Sequence, residues 1–351
     1  MIGERLKMAR AMAGLTMREL AERARVSHQA IGKYEKGTAT PSSQVLIRLS
    51  KVLGVRMEFL MRPRVVELSE VEFRKKKSAP RKNLAAIEAT VRDRIERYAL
   101  AESFFPEEKQ ARVTHYELTD VEDAEEKAKA WRKAWKLGWD PIENLVETAE
   151  AHGIKVVVID APEGFDGLAV WIDEEIPCLV VNENLTECRF RLTFAHEMGH
   201  IVARGIEDWP EKRREDAAFR LGAAFLVPKE MAYAELGEKR RTLDWAELIT
   251  LKQVYGLSIQ AWIVRAAQLG IVSEAVKARL FRQLGKRGWR REEPGDKRTQ
   301  ERSYRFARLL LRAVTEDCIS EERAAEIYGE SLEAFRRKVT EDRLNAACPD
   351  H

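Results

Sequence analysis

Two histidines four residues apart, with a carboxylate beside the first, carry the clearest chemistry in this 351-residue chain: His196-Glu197-Met198-Gly199-His200. The run sits in an apolar stretch free of proline, Leu192 to Ala195 before it and Ile201 to Ala203 after it. Helical spacing puts positions i and i+4 on one face, so both imidazoles aim at one point. That arrangement suits a tetrahedral zinc ion, Zn2+, and Glu197 beside it is placed to take a proton from a water polarised there. The alternative is a buried helix holding two histidines by chance. The four cysteines, Cys178, Cys188, Cys318 and Cys348, show no CxxC spacing, so neither a cysteine-based zinc site nor a disulfide framework is expected.

A catalytic zinc needs a third protein ligand and an open position. The next helical stretch, Glu211 to Pro228, offers acids at its start. Glu215 shares a face with Ala218 and Gly222, small residues that let two helices approach. Asp216 is shorter and shares its face with Phe219, making it the second choice, and Glu211 lies a turn earlier. The dipole of a helix start favours an exposed acid there in any case. Upstream, Ile154–Ile159, Leu168–Ile172 and Pro177–Asn182 read as three short strands, with turns at Gly167 and Asp173-Glu174-Glu175. The small sheet then directly precedes the two-histidine helix, and its edge can take a peptide as an added strand. Helices are expected over Val121–Lys136 and from Asp140-Pro141 through Ala149. Transition-state charge also needs a donor, for which Tyr233, Tyr255, Arg189 and His152 stay open.

The N-terminus carries a different chemistry. Leu6, Ala9, Leu15, Leu20, Ala21, Ala24, Val26, Ile31, Leu46, Leu49, Leu53 and Leu60 recur at helical intervals. Thr16 and Glu19 form a capping box, and Ser27 caps a helix that stops at Gly37. Two short helices joined by a tight turn make a helix-turn-helix bundle. The second helix presents Ser27, His28, Gln29 and Ala30 at its start and Lys33 one turn later, the profile of a helix entering a DNA major groove. Charge agrees: residues 1–64 hold 13 Lys and Arg against 5 Asp and Glu, a net of +8 that leaves −5 for the remainder of a +3 chain.

Residues 1–62 resemble the Xre/Cro-type repressor domain through Leu15-Thr16, Glu19-Leu20-Ala21, Val26-Ser27, Ile31-Gly32-Lys33-Tyr34-Glu35-Lys36-Gly37, Pro41 and Leu53-Gly54-Val55. Such domains bind paired half-sites of a double-stranded DNA operator as dimers, which implies a homodimer. Met17 stands where that family usually has a glutamine that contacts DNA, so Ser27, His28, Gln29 and Lys33 are the expected DNA-binding residues, with Glu35 structural. Residues 120–270 resemble the ImmA/IrrE metallopeptidase family through Phe165-Asp166-Gly167-Leu168, Val180-Val181-Asn182, Arg191 to His200, Glu215, Ala218, Ala223-Ala224 and Leu226-Val227-Pro228. The resemblance implies a zinc cofactor held by His196, His200 and Glu215, with Glu197 as general base. Phe219 replaces an asparagine usual in that family.

The expected fold is mainly α with a small β-sheet. It comprises an all-α helix-turn-helix bundle (1–62), a linker with a long helix (63–119), an α+β gluzincin-like domain (120–272) and a helical C-terminal region (273–351). The linker holds an alternating run at Val65–Phe73, a basic run at Arg74–Lys77 and Arg81-Lys82, and an amphipathic helix at 83–104 expected to pack against the body or another subunit. Farther on, helices are expected within Leu248–Ala267, with Ser258 as a cap, and over Ile319–Gly329 and Leu332–Val339, with fraying from Thr340. No run reaches the ~20 apolar residues of a membrane span, and the start lacks a signal-peptide core, so a cytoplasmic protein is expected. The composite implies a DNA-binding regulator whose zinc peptidase cuts a partner repressor or antitoxin. Alternatives are a zinc-binding sensor without turnover and a component of a toxin–antitoxin or mobile-element locus.

Overall fold

The computed structural model describes residues 2–62, 81–107, 113–173, 175–295 and 301–347. Five helices open the chain: α1 (Ile2–Met12), α2 (Met17–Arg23), α3 (His28–Glu35), α4 (Ser43–Leu53) and α5 (Met57–Met61). Their starts are fixed by side-chain caps. Thr16 and Glu19 close the capping box on α2, Ser27 Oγ accepts from Ala30 N, and Ser42 Oγ accepts from Val45 N. Leu6, Leu20, Ile31, Leu49 and Leu60 are fully buried in a core of their own. Met17 packs against that core.

Next comes α6 (Arg81–Glu102), displaced by two residues toward the N-terminus from the expected 83–104. The alternating run at Val65–Phe73 and Arg74–Lys77 lie outside the described residues. Strand β1 (Tyr116–Glu117) leads to α7 (Ala124–Ala134), α8 (Leu145–Ala151), β2 (Lys155–Ile159), β3 (Gly167–Ile172) and β4 (Ile176–Asn182). Helix α7 is shorter than Val121–Lys136, because the Asp123 carboxylate folds back to accept from Thr119 N at 2.7 Å. The helix expected from Asp140-Pro141 begins instead at Leu145. Asn144 Oδ1 caps it through Glu147 N, and the Glu301 carboxylate accepts from Leu145 N and Val146 N.

The three-stranded sheet has the order β2-β4-β3, with β2 parallel and β3 antiparallel to β4. Both faces are covered, which explains strands that read as apolar runs. Val156, Ala169, Leu179 and Val181 face the main core. Val157, Leu168, Val170 and Val180 face Ile87, Val91 and Ile95 of α6, so of the two surfaces expected for this helix it takes the body. Gly167, expected in a turn, is the first residue of β3. A Cβ there would lie 2.9 Å from Thr193 Cγ2.

Helix α9 (Glu187–Val202) carries the two histidines and runs into β5 (Ala203–Arg204), which pairs in parallel with β1. The chain continues as α10 (Glu211–Leu226), α11 (Lys229–Leu236), α12 (Trp245–Tyr255), α13 (Ile259–Gln268), α14 (Glu274–Lys286), α15 (Arg305–Thr315), α16 (Glu321–Tyr328) and α17 (Leu332–Ala347). Helix α14 was not foreseen, and its Leu280 and Leu284 complete the main core. The backbone stays helical to Ala347, beyond the expected fraying point at Thr340. Helices α15 to α17 pack through Leu310, Ala313, Ala324 and Phe335 on Tyr98 and Ala101 of α6.

The N-terminal bundle rests on the same α6 through charge. Arg5 and Glu96, each 3% exposed, pair at 2.5 Å, and Arg62 pairs with Asp93 at 3.3 Å, which Arg97 of α6 also holds at 2.5 Å within the helix. From α5 and the turn before it, Glu58 reaches Arg323 and Arg56 reaches Glu326 of α16.

Candidate metal centre and nucleic-acid interface

Helix α9 sits against the sheet and against α10, and two glycines set how closely the helices meet. A Cβ on Gly199 would lie 2.5 Å from Ala218 O. One on Gly222 would lie 2.5 Å from the Ala195 carbonyl carbon and 2.8 Å from His196 N. Each helix therefore touches the other's backbone where any side chain would block it. The small residues expected beside Glu215 thus have a partner in the fourth residue of the histidine motif.

The far end of α10 is held just as firmly. Arg132 of α7 donates to Phe225 O at 2.7 Å, and Arg265 of α13 donates to Val227 O at 3.1 Å. These buried guanidiniums satisfy carbonyls that a helix C-terminus leaves unpaired. Arg265 also forks onto Glu125, at 2.6 Å to each oxygen. Helix α9 is pinned from behind by buried Arg191, which donates to Glu301 and to Ile142 O.

Between these helices His196, His200 and Glu215 converge, while Asp216, the second choice, stays outside the cluster. His196 Nε2 lies 3.2 Å from His200 Nε2 and 3.2 Å from Glu215 Oε2, and His200 Nε2 lies 3.3 Å from Glu215 Oε1. A tetrahedron with metal–ligand bonds of 2.0–2.1 Å has edges of about 3.3 Å, so the donor set fits zinc. The facing imidazoles hold the Glu215 carboxyl well below the usual carboxylate range, by hydrogen bonding first and charge second. Glu215 is the open side of the trio, its side chain 54% exposed. Glu197 is buried, and its Oε2 accepts from Ala169 N of β3 at 3.1 Å.

Strand β3 is the feature sequence reasoning read too coarsely. It is an edge of the sheet, and the Ala169 amide is turned toward Glu197 and away from β4. Gly167 was the available signal, since its missing Cβ leaves room for Thr193 and the Glu197 stem. Of the residues left open as charge donors, His152 stacks on Trp135 at 4.1 Å and contacts Thr148 O through Nδ1 at 2.7 Å. Tyr233 donates to Leu269 O at 3.0 Å, and Tyr255 donates to Glu235 at 2.9 Å. Arg189, paired with Asp166 at 2.6 Å, shares a groove with Phe219, whose ring is 6.0 Å from that of His196.

In the N-terminal bundle Ser27, His28, Gln29 and Lys33 are all exposed on α3. Glu35 forks onto Arg10 at 2.5 and 2.9 Å, which braces α3 against α1. A Cβ on Gly3 would lie 2.6 Å from Glu35 O, so α1 also abuts the end of α3.

Comparison with known proteins adds to this geometry. Residues 6–60 match the helix-turn-helix family, and residues 149–267 match the IrrE N-terminal-like domain. The uncharacterized HTH-type transcriptional regulator YqaE of Bacillus subtilis (strain 168) is 31% identical over 101 residues, 28% of this chain and 87% of that protein. The chain belongs to the helix-turn-helix transcriptional regulators. It joins to that head a domain of the IrrE type, a metallopeptidase-like family. The SPbeta prophage-derived regulator YonR of the same organism is 40% identical over 62 residues, 18% of this chain and 57% of that protein. The regulator ImmR, also from Bacillus subtilis (strain 168), is 33% identical over 60 residues, 17% of this chain and 47% of that protein. The chain thus spans about half the length of these two relatives. Among the described residues, no helix is long and apolar enough to cross a membrane.

Proposed function

We propose that this regulator binds a double-stranded DNA operator through α3 and carries a zinc-dependent endopeptidase that cuts a partner repressor or regulator. The observation that carries the peptidase reading is the trio His196, His200 and Glu215 at tetrahedral edge lengths, with the buried carboxylate of Glu197 on the same helix. A zinc ion bound there would polarise a scissile carbonyl and lower the pKa of water toward ~7. The Ala169 amide holds one oxygen of Glu197 at the edge of β3. From that position Glu197 takes a proton from the attacking water and returns it to the leaving amine as the C–N bond breaks. The position of β3 at the end of the strand order supports an extended substrate pairing backbone to backbone beside this carboxylate.

On the DNA side, Ser27, His28, Gln29 and Lys33 form the reading face. Ser27 Oγ accepts from Ala30 N as a cap and keeps its own proton to donate. The resemblance to helix-turn-helix repressors supports binding as a homodimer to paired half-sites. The division into 1–62, 63–119, 120–272 and 273–351 belongs to the same proposal, as does a place in the cytoplasm.

The test compares zinc-loaded wild-type protein with Glu197→Gln on the repressors encoded beside its gene. Cleavage by the wild type, with a loss of about 100-fold or more in the variant, supports the peptidase. Equal cleavage by both contradicts it. Regulation that survives intact in a zinc-replete Glu197→Gln strain favours a sensor without turnover.

A further inference from the structure

Beside the trio a groove of about 870 Å3 runs along α9 toward α13 and α14. Its wall nearest His196 is the ring of Phe219, one turn along α10 from Glu215. The floor continues through Leu192 of α9, Ala261 and Val264 of α13, and Phe281 of α14. The volume falls within the range of pockets that take ligand groups rather than single waters.

Two of the charged side chains around this floor have partners of opposite charge. Arg189 pairs with Asp166 at 2.6 Å. Glu293 accepts from Ile259 N at 2.8 Å and Gln260 N at 3.1 Å, and lies 3.7 Å from Lys252. Arg290 and Arg291 stand at the rim next to Glu292. A ligand that enters the groove on the His196 side meets the ring of Phe219 and the apolar side chains of Leu192, Val264 and Phe281, while polar and charged side chains make up the rest of the lining. Against the apolar part, discrimination comes from buried apolar area.

We propose that this groove receives the substrate side chain adjacent to the scissile bond, and that Phe219, with Leu192 and Val264, selects a large apolar residue there. The inference rests on the peptidase reading, since it makes the groove a subsite of that centre. Phe219 is a specificity residue in this scheme, touching the substrate side chain and not the reacting atoms. A polar residue at that position in the substrate would lose its hydration against Phe219 without gaining a partner. A bulkier residue at position 264 would fill the groove from the side remote from His196.

Two measurements test this together. First, zinc-loaded protein is incubated with a proteome-derived peptide mixture, and the new termini are read by mass spectrometry. Second, Glu197→Gln is titrated by fluorescence anisotropy with labelled peptides that differ only in a central Leu, Phe or Ser. Leu, Met and Phe are expected to dominate one side of the cleaved bonds. Leu and Phe peptides are expected to bind at least about tenfold more tightly than the Ser peptide. Adding Val264→Trp should erase both preferences while zinc content stays at the wild-type value, and Phe219→Asn should weaken them. Cleavage without apolar enrichment, or apolar preference untouched by Val264→Trp, overturns the groove assignment and leaves the peptidase standing. Apolar binding that Val264→Trp abolishes, in a wild type that cuts nothing, supports the groove and overturns the peptidase reading. The absence of both cleavage and selective binding overturns the assignment outright.

Discussion

The two seams of this molecule are built on opposite principles. Between α9 and α10 the contact is backbone on backbone, set by Gly199 and Gly222, and the donor atoms of three residues converge at 3.2–3.3 Å. Between the helix-turn-helix bundle and α6 the contact is charge on charge, Arg5 with Glu96 and Arg62 with Asp93, the latter also paired with Arg97 of α6 itself. Close packing leaves one separation available, because a densely packed interior does not deform continuously. Desolvated ion pairs add little net stability but penalise any mismatch heavily. The first seam suits a site that needs ligand atoms held in place. The second suits a joint between a DNA-binding head and a body, specific when closed and tolerable when open.

Breaking one half of the charged seam should give the largest effect. Glu96→Leu leaves Arg5 buried beside an apolar group, at a cost of about 3–5 kcal/mol. The double change Arg5→Met with Glu96→Leu should recover most of it. Thermal unfolding with limited proteolysis between the bundle and α6 reads both. A single variant as stable as wild type would show that the seam is hydrated in solution.

The close-packed seam should give less in stability but more at the centre. In Gly222→Ala the new Cβ must displace the Ala195 and His196 backbone, at roughly 1–3 kcal/mol. Bound zinc should fall well below one per chain at the same time. Retention of full zinc would mean that the helices separate without moving the ligands.

A third effect is smaller and depends on pH. Glu150 is buried beside Tyr98 and Ser303, and that burial raises its pKa to about 7. In the unfolded chain it titrates near 4.5. Between these values the folded state binds the extra proton, so the contribution of Glu150 is present at low pH and lost as pH rises through about 7. Glu150→Gln should remove that fall and raise the melting temperature by a few degrees at pH 8. An unchanged pH profile would mean that water reaches the carboxylate.

What the sequence disclosed follows the same division. The capping box of Thr16 and Glu19, the Ser27 cap, the helix periods and the bundle core are local patterns and are legible in the sequence. The two-histidine helix is local as well, and the small residues around Glu215 announced a close helix pair. Other features needed three dimensions. Ala169 faces Glu197 only because β3 is an edge strand. Glu301 caps α8 and neutralises Arg191 across more than a hundred residues. The long α6 reads as an amphipathic helix for the body or another subunit, but that Ile87, Val91 and Ile95 take the sheet while its acids lie under Arg5 and Arg62 is visible only in the fold. Helix α14 went unread because its core contribution reduces to Leu280 and Leu284 within a charged sequence.

The central claim is that His196, His200 and Glu215 form a zinc centre. Its most direct test is metal content by inductively coupled plasma mass spectrometry, on protein purified without added metal, for wild type and Glu215→Ala. The account predicts about one zinc per wild-type chain and a loss of at least tenfold in the variant, with the helical circular dichroism spectrum unchanged. Wild-type protein without zinc that also fails to take it up, or a variant that keeps it, would contradict the account.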